Sequence, residues 1–278
     1  MRKDSTIGTF LMATCVCVVC SVVVCTAAVL LKPIQDKQRE ADKRKNVLLA
    51  AGITEYEGTP VEKLSAEEII AAFDAEIESQ WLDLKTGKSV PIEEVPEDCR
   101  DEVKAAKSTN DAQSTAITED IAKLGRRANY REIYLKRDAE QNIETIILPV
   151  HGKGLWSTMY GFLALESDGI GIKSLSFYQH GETPGLGGEI DNKKWKGYWK
   201  GKKAFDESKQ PADELWVADI AVIKGNVLDD DPRRDYKVDG ISGATLTANG
   251  VRDLVRFWLG EEGYGPFLQA QRTGGDDG

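Results

Sequence analysis

The chain has 278 residues, 41% of them hydrophobic, and a formal net charge of −10. That is enough for one large domain, or two small ones with appendages, around a sizeable core. The acidic balance excludes nucleic-acid binding through phosphate neutralisation, which needs a basic face.

No residue from 7 to 31 is charged. At about 1.5 Å per residue, a helix over this run exceeds the roughly 30 Å of a bilayer core, which predicts a tilted membrane span. A cleaved signal peptide has a shorter apolar core, about 7–15 residues. A lipoprotein signal is excluded because Val19 and Val24 stand before Cys20 and Cys25 where a small residue is wanted. Cys15, Cys17, Cys20 and Cys25 all lie in the span. At about 100° per residue they point in separate directions, so one helix cannot gather them on an iron–sulfur cluster, and they read as small apolar filler. Cys99 is the only cysteine outside the span, so no intramolecular disulfide is expected. Arg2 and Lys3 precede the span, whereas Lys32, Lys37, Arg39, Lys43, Arg44 and Lys45 follow it. Positive-inside counting puts the following domain in the cytoplasm, although large domains translocate despite such charge.

Beyond Pro33 a charged run leads into Val47-Leu48-Leu49-Ala50-Ala51-Gly52, which predicts a stalk helix ended by glycine. Ser65-Ala66-Glu67-Glu68 has capping-box spacing, and Ile69, Ile70, Phe73 and Ile77 line one side of the helix that follows. Residues 81–84 and 90–92 flank Lys85-Thr86-Gly87-Lys88 as a hairpin, and 97–119 reads as loop and short helix. Residues 130–135, 145–150, 159–165, 170–178 and 215–223 read as strands, rich in β-branched and aromatic side chains. Between the last two, Trp195, Tyr198 and Trp199 recur at helical spacing as a core stripe. Val251, Leu254, Val255, Trp258 and Leu259 mark an amphipathic helix that begins near Thr247 and stops at Gly260. The class is α+β. The expected organisation is an anchor over 1–33, a stalk helix and accessory α+β segment over 34–128, a main domain over 129–272 and a mobile tail over 273–278.

Three segments carry chemistry. Gly152-Lys153-Gly154-Leu155-Trp156-Ser157 sits between two strands and reads as a hairpin loop with a packing Trp156. Glu182-Thr183-Pro184-Gly185-Leu186-Gly187-Gly188 is a side-chain-poor loop able to lie against a flat ring. Its amides would meet ring carbonyls and nitrogens, with Leu186 on the ring face and Thr183 at an edge. Neither nucleotide-binding glycine fingerprint is present. Asp239-Gly240-Ile241-Ser242-Gly243-Ala244-Thr245-Leu246-Thr247 is a turn that opens a helix, whose free amides and dipole favour an anion such as phosphate. Thr245 or Thr247 would also serve as an ordinary helix cap. The two histidines, His151 and His180, form no metal-ligand spacing with cysteine, and His180 at a strand end reads as structural.

Asp239-x-x-Ser242-Gly243-Ala244-Thr245 resembles the flavinylation motif of bacterial membrane redox proteins. With the other two segments, Trp258-Leu259-Gly260 and Gly263-Tyr264-Gly265-Pro266-Phe267-Leu268, the chain resembles over nearly its whole length the C subunit of the sodium-translocating NADH:quinone reductase. The resemblance implies a mixed α+β FMN-binding domain behind one transmembrane helix, with FMN esterified through its phosphate to Thr245. Ser242, Gly243, Ala244, Glu182, Thr183, Gly185, Leu186, Gly187, Leu155 and Trp156 would line the cofactor, and a flavin transferase would read Asp239 and Ser242. Glu182 would orient the ring, contact a neighbouring subunit, or cap a turn. The chain would relay electrons in a bacterial inner-membrane complex of six subunits, with no NADH site or catalytic residue of its own. Its domain would lie in the periplasm, against the charge count. A threonine hydroxyl without an adjacent base is a weak nucleophile, so self-attachment is not expected. The flavin-bearing member of the related ferredoxin- and NAD-linked complex shares the motif but fits the other segments less well. A membrane-anchored adaptor without cofactor is the reading from a different class.

Overall fold

The computed structural model describes residues 6–210 and 215–273; Arg2, Lys3 and the tail beyond Thr273 lie outside them. Helix α1 runs unbroken over Thr6–Ala50, with Pro33 inside it. It is long and apolar enough to cross a membrane, and the remainder of the chain leaves its apolar window uncovered. Its last turns change partner, because Ala41, Val47, Leu48 and Ala50 are buried in the domain. One helix therefore serves as span, stalk and packing layer, and ends before Gly52, whose φ of 81° needs glycine. Helix α2 (Ala66–Glu76) opens with the expected capping box and buries Ile69, Ala72 and Phe73.

The centre is an antiparallel sheet of β1 (Glu78–Asp83), β2 (Lys88–Val90), β3 (Tyr130–Arg137), β4 (Ile143–Lys153), β5 (Thr158–Glu166), β6 (Gly171–Gln179) and β7 (Lys202–Lys203). Their spatial order is β7-β6-β5-β4-β3-β1-β2. Strand alternation sends Ile146, Leu148, Val150, Met159 and Leu163 to one face, against Val251, Leu254, Val255 and Trp258 of α5 (Thr245–Leu259). Tyr134, Ile147, Phe162 and Ala164 point to the other face, against α1 and α2. The sheet is thus the middle of three layers, which is why its central strands are apolar on both sides.

The shorter helices are α3 (Glu102–Lys107), α4 (Lys193–Gly197) and α6 (Gly265–Arg272). Trp195 and Trp199 are buried in the core as their spacing predicts. The strand expected over 215–223 is reduced to Ala221–Val222, paired in parallel with Lys237–Val238. Upstream, the Gln210 side chain takes a neighbouring strand's role, accepting from the Val217 amide at 2.8 Å and donating to its carbonyl at 3.2 Å.

Candidate functional site where three glycine-bearing segments meet

The hairpin tip between β4 and β5, the loop after β6 and the first turn of α5 converge on one carboxylate. Glu182 is 5% exposed. Its Oε1 accepts from the amides of Trp156 (2.9 Å) and Ser157 (3.3 Å), and its Oε2 from the amide of Leu155 (3.2 Å) and the hydroxyl of Thr247 (2.5 Å). Burial acts to raise its pKa, but the Thr247 hydroxyl and the amides together outweigh burial and hold it below the usual carboxylate value. Glu182 is therefore an ionised clamp. Gly187 lies against it: a Cβ there would sit 2.5 Å from Thr247 Oγ1 and 2.8 Å from Glu182 Oε2.

Helix α5 starts at Thr245, two residues earlier than its apolar spacing predicts. Its N-cap is Ala244, and no side chain caps it. Neither threonine plays that role, because Thr247 is buried with its hydroxyl committed to Glu182, while Thr245 is exposed. The first amides of the helix have no intrahelical acceptor, so an exposed hydroxyl stands beside a place suited to an anion. Ser242 and Gly243 are exposed and Ala244 is buried beneath them. Gly243 has φ 73°, and a Cβ there would come 3.1 Å from Leu186 Cδ2, so Leu186 reaches across from the second segment.

Trp156 corrects an expectation. It is 70% exposed rather than packed, since its backbone is held by Glu182 at a hairpin tip. Leu155, Leu186 and Leu246 are exposed as well, at 47%, 46% and 61%. Exposed apolar side chains on all three segments offer a binding surface. The loop that carries Leu186 is closed on itself, with the Thr183 carbonyl accepting from the amides of Leu186 (3.1 Å) and Gly188 (2.9 Å). Gly185 turns at φ 74°. His180 braces it from behind, with Nε2 2.7 Å from Asp191 and Nδ1 accepting from the Glu182 amide at 3.2 Å.

Asp239 works through its neighbours. Its Oδ1 accepts from the Val227 amide (2.8 Å), its carbonyl accepts from Trp195 Nε1 (2.9 Å), and the Gly240 amide donates to Gly225 (2.8 Å). These bonds bring residues 222–226 alongside 240–243, Thr245, Ala248 and Asn249 around a groove of about 580 Å³. That volume is in the range of small-ligand sites. Sequence reasoning read 222–223 only as the end of a strand and missed residues 224–226, whose one signal is Gly225.

The family described as FMN-binding domain matches residues 154–260, which contain the second and third segments and the first from Gly154 on. The C subunit of the Na(+)-translocating NADH-quinone reductase of Yersinia pestis is 43% identical over 276 residues, covering 98% of this chain and 96% of that protein. The chain belongs to this family of reductase C subunits. The Pseudomonas aeruginosa member is 42% identical, with 98% of both chains covered. The crystal structure of Shewanella oneidensis NqrC superposes with a TM-score of 0.70 at 30% identity, covering 85% of this chain and 99% of that one. The Parabacteroides distasonis member does so with 0.60 at 26%, covering 86% and 96%.

The geometry of this reductase C subunit fits FMN. The uncapped start of α5 suits its phosphate, while the exposed Leu155, Trp156 and Leu186 offer apolar surface for a flat ring that backbone groups of residues 183–188 can border.

Proposed function

We propose that FMN is held by a phosphoester to Thr245, and that the chain passes electrons within a membrane NADH:quinone reductase that couples this transfer to sodium export. The observation that carries the proposal is the division of labour between two threonines on the same helical turn: Thr247 is consumed by Glu182, whereas Thr245 stands exposed at the uncapped helix start. Bound FMN supplies the electron chemistry, and the protein supplies its position and electrostatic surroundings. Leu155, Trp156, Leu186, Thr183, Gly185 and Gly187 border the ring, and Ser242, Gly243 and Ala244 border the phosphate. Glu182 orients the whole through the backbone it clamps.

Attachment by a separate flavin transferase is supported by the commitment of both histidines elsewhere. His180 is engaged with Asp191 and the Glu182 amide, and His151 with Arg131. In this reading the transferase reads Ser242, which is exposed, and Asp239, whose carboxylate sets the loop through Val227. The relatives' names support membership of a reductase of several subunits, here taken as six, with NADH bound elsewhere. Helix α1 supports single-pass anchoring; on the family resemblance, and against the charge count, the membrane is taken as the inner one and the soluble part as periplasmic, with residues 129–272 as the FMN-binding domain and 34–128 as stalk and accessory segment.

In-gel fluorescence of the denatured full-length protein tests the attachment, because only a covalent flavin survives denaturation. A fluorescent band at the chain's mass is expected. A dark band from protein matured beside its transferase would sink the ester.

A further inference from the structure

A second concavity lies apart from Thr245. It is a cleft of about 180 Å³ between α3, the loop around Lys123 and strands β3–β6. Its lining carries Lys107, Lys123, Arg126, Arg131 and Lys153 against a single acid, Glu102. On a chain of net charge −10 this concentration of positive charge is the opposite of the average surface.

Two of these cations already face a carboxylate, although Arg131 Nε and Glu102 Oε2 are buried without a hydrogen-bond partner. Arg131, 3% exposed, pairs with Glu102 at 3.1 Å, donates to Pro149 at 3.3 Å and lies 4.3 Å from the Trp258 ring centroid. Arg126 pairs with Asp111 at 2.7 Å. Lys107, Lys123 and Lys153 form no ion pair among the described residues. Among the described residues Lys123 is one of three non-glycine residues with positive φ, at 57°, and its neighbour Ala122 is tied to Lys153 by the bond from the Lys153 amide to the Ala122 carbonyl (3.0 Å). His151 adds a donor. Its Nδ1 accepts from Arg131 at 3.2 Å, so the neutral ring carries its proton on Nε2, and it stacks on Tyr160 at 5.5 Å. The groups left over in the cleft, ammoniums, an imidazole N–H and the hydroxyls of Tyr160 and Tyr178, donate hydrogen bonds.

The cleft also stands at the membrane end of the domain. Lys43 of α1 pairs at 3.3 Å with Glu132, the neighbour of Arg131 in the cleft wall, and the Lys104 ammonium of α3 is favoured first by Asp101 and more weakly by Asp36 on α1. Asp36 is five residues past Leu31, the end of the uncharged run, or about 7.5 Å along the helix. The polar layer on each side of a bilayer core is roughly 5–8 Å deep.

We propose that this cleft binds a phosphate group, supplied by free phosphate or by the headgroup of an anionic phospholipid. Its volume of about 180 Å³ takes a phosphoryl group. Lys107, Lys123 and Lys153 supply the charge, and His151 and the tyrosines supply directed donors.

The test uses the flavin-loaded full-length chain and a Lys107→Gln/Lys123→Asn variant, in which asparagine tolerates the left-handed backbone. In detergent, inorganic phosphate is titrated by calorimetry at constant ionic strength set with chloride. In nanodiscs of phosphatidylcholine with phosphatidylglycerol, retained lipid is counted by native mass spectrometry. Phosphate affinity at least tenfold weaker in the variant supports the site. Retention of phosphatidylglycerol by the wild type but not the variant identifies the headgroup as source, and a phosphate difference without a lipid difference identifies free phosphate. Phosphate affinity equal within twofold, together with equal lipid retention, overturns the proposal; should the flavin band be dark, the same comparison is made on the full-length chain as purified, since neither Thr245 nor its turn lines the cleft.

Discussion

Glu182 and Thr247, 65 positions apart in sequence, are joined by a 2.5 Å hydrogen bond that locks the loop after β6 to the first turn of α5. The same carboxylate holds three amides of the hairpin tip, so one side chain sets the relative position of all three segments. Glu182→Gln keeps the shape, removes the charge and turns one oxygen into a donor facing groups that donate. Hydrogen bonds to a charged group contribute about 1.5–3 kcal/mol, and a loss of that order is expected in urea unfolding. A loss under about 0.5 kcal/mol, the low end for any hydrogen bond, would show the clamp to be incidental.

Thr245→Val should leave a folded chain with no covalent flavin. Thr247→Val should keep the flavin yet lower stability by about 1–3 kcal/mol, because it leaves one carboxylate oxygen short of a buried donor. In-gel fluorescence and thermal unfolding of the two variants read these effects separately. Fluorescence that survives in Thr245→Val and vanishes in Thr247→Val would reverse the assignment.

The clamp also predicts an acid limb of stability. The folded pKa of Glu182 lies below its unfolded value, so the stabilisation is complete above about pH 4.3 and is lost as pH falls through the folded value. Glu182→Gln should flatten the stability profile below that pH relative to wild type. Parallel profiles would remove Glu182 from the account.

His151 predicts a second, higher window. Burial, and then the neighbouring Arg131 charge, hold its pKa well below the ordinary imidazole value. The unfolded chain therefore takes up a proton first as pH drops below about 6.5, and stability falls from there down to the folded value. His151→Gln, which cannot titrate, should lose this slope while retaining the lower one from Glu182. Denaturant midpoints measured between about pH 7 and 5, on either side of the ordinary imidazole value, make the comparison.

Orientation is testable with an introduced cysteine, since native Cys99 is buried at 1% exposure and its thiol pKa is raised by that burial. Thr109→Cys lies on the exposed surface. With the domain in the periplasm, an impermeant maleimide labels this site in cells with an opened outer membrane and an intact inner one. Labelling that appears only after the inner membrane is breached would place the domain in the cytoplasm.

Features governed by local physics were legible in the chain. The uncharged run from 7 to 31, the Ser65 capping box, the four long strands and the stop at Gly260 each follow from local composition, periodicity or capping chemistry within a few residues. The glycine-bearing segments were legible too, because turn residues announce themselves. What each segment does was decided by topology. The strand pattern over 215–223 gave way to the Gln210 side chain. Trp156 belongs to a residue type that is usually buried, and it is exposed because its backbone is pinned at a hairpin tip by an acid 26 residues later. Thr247 had the makings of a helix cap, but a sheet edge carried Glu182 to its hydroxyl first, leaving Thr245 as the open group. Local pattern encodes which backbone a segment prefers; which side chains meet depends on how the strands close into one sheet, and that pairing is a property of the whole chain.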